Sequence, residues 1–420
     1  MKILRHVVLV LILISSGYVA FKTYEQEQIK IQLKQDLIEL SKIKYGLFNV
    51  DEWKLILAKI MTEKIEDFNL DDINREGMRA KISTLLTVAI DELEERYYDK
   101  KSESVFGILQ GGIANLTGTF GKIKEDIPIF TDQILGFLND EENRVAIQEY
   151  LINKLNEYAD KTFSATDYSQ VLNILDRYNQ EDIKSTKNYL EVKIQQIESE
   201  SQTYKIILVI IALAFSLLII FMKIVKVYEL SIGLIISLIF LFLGILLPMI
   251  EIDARISEMT FYLLGEEVEF LDQVLYYKSK SILDVVGLLI MKSRIDLIAV
   301  GFLVLTFSVL FPFSKMISSV IYMQNVKSRT NPFISFMVLK SGKWSMADVM
   351  VMAIFMAYIG FDGIISEQLI QLENLTTNLD VLTTNKSNLL FGFYSFTLFV
   401  LLSLITSQKI KTTLKTAKNQ

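Results

Sequence analysis

Five long apolar stretches, at about 204–222, 230–250, 295–323, 346–366 and 389–407, restrict the possible folds of this chain more than any other feature. A bilayer crossing takes roughly 20 residues, and each stretch ends where charge returns. The first is bounded by Lys205 and Lys223, the second by Glu229 and Glu251. Hydrocarbon offers the backbone no hydrogen-bond partner, so such stretches cross it as helices that satisfy their own amides. The second half of the chain therefore reads as a bundle of about five transmembrane helices.

Basic residues orient the bundle. With Lys2 and Arg5 inside, Lys223, Lys226, Lys327, Arg329, Lys340, Lys343, Lys409, Lys411, Lys415 and Lys418 also fall inside. The inner flanks then carry 12 basic residues and one acid, Glu229, whereas the outer loops at 251–296 and 367–388 carry 6 basic and 12 acidic. Residues 22–203 lie outside in this topology. They hold 23 Lys/Arg and 34 Asp/Glu, a net of −11, against +5 for the remainder, and the two sum to the chain's −6.

The inventory removes much chemistry. The 420 residues include no Cys and a single His, His6. A disulfide, a thiolate nucleophile, a Cys-ligated zinc site or a Ser–His–Asp triad has nothing to be built from. An acidic outer segment repels phosphate backbones, which argues against nucleic acid. The expectation is a protein that is not an enzyme, with no catalytic residue, no metal and no cofactor.

The N-terminus has two readings. Lys2, Arg5 and the run at 7–14 resemble a signal peptide with Ser15-Ser16-Gly17 as its cleavage site; equally, residues 1–21 are an uncleaved anchor that runs into the next helix. Residues 22–203 read as successive helices, with stripes such as Leu33, Leu37 and Leu40, caps at Asp71/Asp72 and 139–142, and a short piece opened by Pro128. The glycines between Gly107 and Gly121 mark a joint between lobes or a loop that touches a membrane or partner. Gly118-Thr119-Phe120-Gly121-Lys122 is no phosphate loop, because its first Gly comes too late and Ile123 replaces the Ser/Thr. Residues 182–203 lack breakers and should form one helix with the first span. The segment as a whole suits a spacer, a docking domain or a helical shell around a lipid.

Ionisable groups at membrane depth are functional candidates. Lys315 lies in Phe307-Ser308-Val309-Leu310-Phe311-Pro312-Phe313-Ser314-Lys315, with Ser308 seven residues away on the same helix face. Pro312 has no N–H, which should free the Ser308 carbonyl and kink the helix. A polar seam results, or else Lys315 snorkels to the inner headgroups. Asp362, between Gly360 and Gly363, could face an outer water-filled cavity. Ser345 and Asp348 match a capping box behind Trp344. In the outer loop, residues 251–270 alternate around Gly265-Glu266 as a small strand pair. The apolar run at 281–291 is too short to span and reads as an interfacial or re-entrant helix capped by Ser281 and Asp284, with Lys280 either meeting a lipid phosphate or serving as an ordinary flank.

Three segments resemble the paraquat-inducible protein A family: Gly244-Ile245-Leu246-Leu247-Pro248, Phe311-Pro312-Phe313-Ser314-Lys315, and Gly342-Lys343-Trp344-Ser345-Met346-Ala347-Asp348-Val349. The resemblance covers about residues 230–407. It implies an inner-membrane protein of the Gram-negative envelope that moves phospholipid between membranes beside MCE-type (mammalian cell entry) periplasmic proteins. It also implies that Ser308, Lys315, Lys280 and Asp284 line a functional polar region; with Asp362, taken from the span itself, they make up the expected lipid-binding or polar network. Family members commonly carry cysteine zinc ribbons and two modules in tandem. This chain has no Cys and one module, for which a homodimer would supply the second.

The expected protein is an all-α membrane protein. It comprises a leader or anchor (1–21), a helical periplasmic domain (22–203), a first transmembrane helix and linker (204–229), a four-helix module (230–408) and a basic cytoplasmic tail (409–420). A small outer loop subdomain has room for a short β-hairpin. The expected role is lipid transport; the alternative is a membrane-anchored sensor or scaffold whose periplasmic domain docks a partner.

Overall fold

The computed structural model describes residues 2–46, 49–66, 75–98, 117–138, 143–162, 167–221, 225–292, 294–325, 328, 330–339, 347–375 and 380–418. The expected caps at Asp71/Asp72 and 139–142, the glycines at 107–112 and the Trp344–Met346 approach to the fourth span lie outside these residues, as does the Asp348 side chain.

Helix α1 runs without a break over Lys2–Leu40, so the apolar leader and the polar helix after it form one rod. Helix α7, Ile183–Phe221, likewise joins the polar 183–203 segment to the first expected span. The two rods pack antiparallel. Leu9, Val19 and Ala20 share a core with Leu208, Ala212, Phe215 and Ile219. Farther out, Lys30 meets Glu198, and Leu33 and Leu40 pack with Leu190.

Among the described residues, five helices are long and apolar enough to cross a membrane: Val7–Leu40, Ile183–Phe221, Val227–Leu246, Ile295–Gln324 and Phe391–Ile410. The N-terminal rod thus joins the set expected from the second half. After the short helix α12, Pro332–Leu339, the expected span at 346–366 falls, from residue 347 onward, in α13, Ala347–Leu375. Helix α8, Val227–Leu246, is the most enclosed and packs along α14, Phe391–Lys418. Phe240, Phe396 and Phe399 belong to the core there, and Phe215 of α7 joins it against Gly233 of α8. Two glycines permit it: a Cβ on Gly244 would stand 2.8 Å from the Phe396 backbone, and one on Gly392 2.3 Å from the Leu247 carbonyl oxygen.

The outer segment places α2 (Val50–Glu66), α3 (Arg75–Tyr98), α4 (Thr117–Phe137) and α5 (Asn143–Thr162) around Met61, Ile82, Leu86, Ile127, Ile134 and Ile147. Pro128 does not open a helix, as the sequence led us to expect; it sits inside α4. Helix α6, Ser169–Tyr178, returns the chain to α1 and α7 through Val171, Ile174 and Leu175.

The outer loop is more extensively β than expected. Strands β1 (Ile250–Leu263) and β2 (Glu266–Lys280) pair antiparallel from Ile250↔Lys280 to Leu263↔Glu266. Leu264 (φ 53°) and Gly265 (φ 81°) turn the hairpin, both in the left-handed region that a two-residue type I′ loop requires. Strand β3, Asp380–Asn385, comes from the other outer loop and gives the order β2–β1–β3, while β4, Asn388–Leu389, pairs with the start of β1. The hairpin's inner face packs on α2: Leu57 and Ile60 meet Ile256, Met259, Leu263 and Phe270, with the Trp53 ring tilted against Phe270 at 5.4 Å between centroids. The helical segment and the loop subdomain thus share one apolar layer.

Candidate functional site: a polar seam in the membrane-spanning module

The helix expected to kink at Pro312 has a π turn immediately before that residue. Helix α10, Ile295–Leu305, passes into a π turn at Thr306–Leu310 before α11, Phe311–Gln324. The Phe311 N–H donates to the Thr306 carbonyl, five residues back. A widened turn before a proline is one of the known ways for a helix to absorb the missing amide.

Below the turn, α11 carries its polar groups inward. Lys315, Ser318 and Ser319 are all buried, Lys315 with 5 % of its surface exposed, and Ser308 is buried within the turn itself. Met316 beside it is fully enclosed in the apolar core. The Lys315 ammonium crosses to α14 and lies 3.5 Å from the Ser403 Oγ, at the long limit of a hydrogen bond. The Ser319 hydroxyl donates to the Lys315 carbonyl (2.8 Å) and Thr406 to the Leu402 carbonyl (2.7 Å). Their donors are thus used within the helices, while their oxygens can still accept. The Lys315 ammonium itself is what offers an anionic group both charge and N–H donors.

The other sequence candidates sit at the outer end. Lys280 is half-buried at the last position of β2, and its carbonyl accepts the Met249 N–H at 3.0 Å. Asp284 closes a capping box on α9, Ile282–Met291: the Ser281 N–H donates to its carboxylate (2.9 Å) and its own N–H to the Ser281 hydroxyl (3.1 Å). Asp362 receives the Asn385 side-chain amide on its carboxylate (3.0 Å) and on its carbonyl (3.2 Å), tying α13 to β3. The structure thus buries Ser308 and Lys315 in one helix and gives Lys280, Asp284 and Asp362 separate partners at the collar of strands above.

Sequence reasoning missed Ser403 and Thr406, although their three-residue spacing on α14 was a signal, and Ser318 and Ser319, one turn past Lys315. It also missed the buried charges of the sheet. The Arg255 guanidinium meets Asp253 (3.0 Å) and Asp272 (2.6 Å); burial works against its charge, but the two carboxylates raise its pKa above the usual arginine value. Glu251 takes Lys34 and the Tyr277 hydroxyl (3.0 Å), and burial followed by that carboxylate pushes the Tyr277 pKa up.

Residues 271–369 match the family model described as Paraquat-inducible protein A. The match places this segment in the paraquat-inducible protein A family. It contains the whole sequence-derived set, Lys280, Asp284, Ser308, Lys315 and Asp362, and runs from β2 through most of α13. Helix α14, with Ser403, lies beyond it. No curated protein and no solved structure matches the chain.

Proposed function

We propose that this multi-pass membrane protein is an inner-membrane component of an intermembrane lipid transport system that binds phospholipid at its paraquat-inducible protein A segment. The observation that carries this reading is the burial of Lys315 against Ser403, between Ser308 and Ser319, in the module's interior. An ammonium placed at membrane depth is costly and is retained where a substrate or proton uses it. The anionic phosphate of a phospholipid, with several acceptor oxygens, suits that cation.

In this proposal the chain is not an enzyme. Residues 22–203 stand in the periplasm and the C-terminus in the cytoplasm, in keeping with the basic inner flanks. The outer helical segment passes lipid to, or docks, an MCE-type periplasmic protein, and a second copy of the chain supplies the second module. The test is mass spectrometry of lipid retained by detergent-purified protein, together with a growth assay under envelope stress. Wild type should retain phospholipid above the level of an unrelated membrane protein, and Lys315→Ala should lose that excess and the growth protection at unchanged expression. Equal lipid in both proteins, with growth unaffected, would remove Lys315 from the mechanism and favour the sensor or scaffold reading.

A further inference from the structure

Helices α9 and α10 form an antiparallel hairpin whose place relative to the bilayer is fixed by its polar groups. Gly301 of α10 lies against Leu289 and Ile290 of α9, so the two helices touch along their length. Between Asp284 and the tip, neither helix presents a polar side chain on α9; on α10, none follows Asp296. Val285, Leu288 and Ile290 on one helix and Val300, Phe302 and Leu303 on the other are all exposed. Charge returns only at the tip, with exposed Lys292 and the Arg294–Asp296 pair, 72 % and 60 % exposed.

The hairpin stands at the outer end of the bundle. Phe313 of α11 packs edge-on against Phe242 of α8. Leu246, the outer end of α8, is four residues beyond Phe242, about 6 Å at 1.5 Å per residue. Leu305 is eight residues beyond Phe313, about 12 Å along the helix, which sets α10 toward the outer end of α8. A helix apolar on all sides is not stable in water, and a patch of this kind marks a contact surface. The ten residues of α9 cover only about 15 Å, half of a hydrocarbon core of roughly 30 Å. Its two polar ends, Ser281/Asp284 and the tip, therefore cannot reach opposite interfaces, and both belong to the outer one.

We infer that the α9–α10 hairpin is an outer-leaflet lipid-contact element, with phospholipid acyl chains covering both flanks and the Lys292–Asp296 tip among the headgroups. The π turn at Thr306–Leu310 joins it to α11. The inference is independent of the transport reading, since a scaffold would hold the hairpin the same way.

The chain has no Cys, so single-cysteine labelling has no background. Leu288→Cys, Phe302→Cys and Arg294→Cys of the full chain would carry a nitroxide in vesicles of phosphatidylethanolamine and phosphatidylglycerol. Power saturation then compares collisions with oxygen, which partitions into acyl chains, and with a water-soluble nickel chelate. Oxygen should dominate at positions 288 and 302, and nickel at 294. Val285→Cys and Val300→Cys repeat the flank measurement if either first variant is not monodisperse. Nickel-accessible flanks would place the hairpin in water, and flanks closed to both reagents would place it against a second copy or another protein; either result overturns the inference.

Discussion

The clasp that joins α1 to α7 above their apolar halves contains two acids with sharply different burial, and this gives a quantitative test. The Glu27 carboxylate is 4 % exposed and receives Lys30 (2.9 Å), Lys205 (2.7 Å) and the Ser201 hydroxyl (2.8 Å). Glu198, 41 % exposed, takes the same two lysines at 2.6 and 3.0 Å. The four charges sum to zero, and each lysine bridges both acids. Glu27→Ala leaves two largely buried ammoniums sharing one half-exposed carboxylate. Breaking a buried pair from one side costs about 3–5 kcal/mol, and the Ser201 hydroxyl loses its acceptor as well. Glu198→Ala removes an acid that water already screens, a loss of about 1 kcal/mol or less. Thermal unfolding of detergent-solubilised protein, followed by helical circular dichroism at one fixed scan rate because such transitions are commonly irreversible, should show Glu27→Ala lowering the midpoint several times more than Glu198→Ala. Glu27→Met with Lys30→Met should recover much of the loss by replacing the pair with apolar volume. Equal midpoints for the two single variants would refute the assignment of the clasp's strength to the buried acid.

Other outcomes follow from single contacts. Gly244→Ala must push α8 off the Phe396 backbone, so it should cost about 1–3 kcal/mol as overpacking and lower the same midpoint, whereas Gly287→Ala, with no atom within 4 Å of its Cβ, should not. Ser281→Ala removes the α9 cap and should cost about 0.5–2 kcal/mol, read as faster amide exchange over residues 282–285. Asn385→Ala cuts the amide from Asp362 and Ser366 and should raise exchange across β3 while leaving β2 protected. Burial and then the hydrogen bond to Asp36 push the Tyr178 hydroxyl up to about 12. The contact therefore stabilises fully below pH 10 and is lost as pH rises through 12, so Tyr178→Phe should flatten the alkaline decline of unfolding stability in that window.

Much of this architecture was legible because single signals sufficed. Runs of about 20 apolar residues bounded by charge gave the spans, and the absence of breakers between Asp182 and Tyr204 gave the continuous rod α7. Ser281 and Asp284 gave the α9 cap, which the structure forms with both reciprocal bonds. The sheet was only partly legible. Alternation around Gly265 revealed the hairpin, but its first strand, β1, carries the charges Glu251, Asp253 and Arg255, whose burial an alternating pattern does not announce. Their partners, Lys34 on α1 and Asp272 past a bulge at Ala254/Arg255, are set by tertiary contact alone. Strand β3 lies more than 100 residues from β1 and has few apolar residues, so nothing local announced it. In the seam, Lys315 and Ser308 were visible through their depth in an apolar run. Ser403 was not, because a serine in a transmembrane helix ordinarily back-bonds to its own turn and only packing shows which one faces a lysine.

Those buried charges explain why the strands belong to the membrane module rather than to the outer helices alone. β1 leaves directly from α8, β2 runs into the Ser281 cap of α9, β3 is bonded to Asp362 of α13, and β4 leads into α14, whose Gly392 amide donates to the Pro248 carbonyl. Four helices are thereby held at their outer ends by one sheet. A polar strand order set by apolar pattern alone could slip by one residue and reverse every side chain. Arg255 resists such a slip, since a one-residue shift of β2 would carry Asp272 away and leave the buried guanidinium only Asp253 of its own strand. The rod α1 and the residue that follows it hold the same collar, through Lys34 on Glu251 and through the Ser41 carbonyl, which accepts the Val274 amide. A cation such as Lys315 can be kept at membrane depth only in a bundle whose helices do not drift, and the collar supplies that constraint from the water side, where ion pairs and strand hydrogen bonds can be built without crossing hydrocarbon.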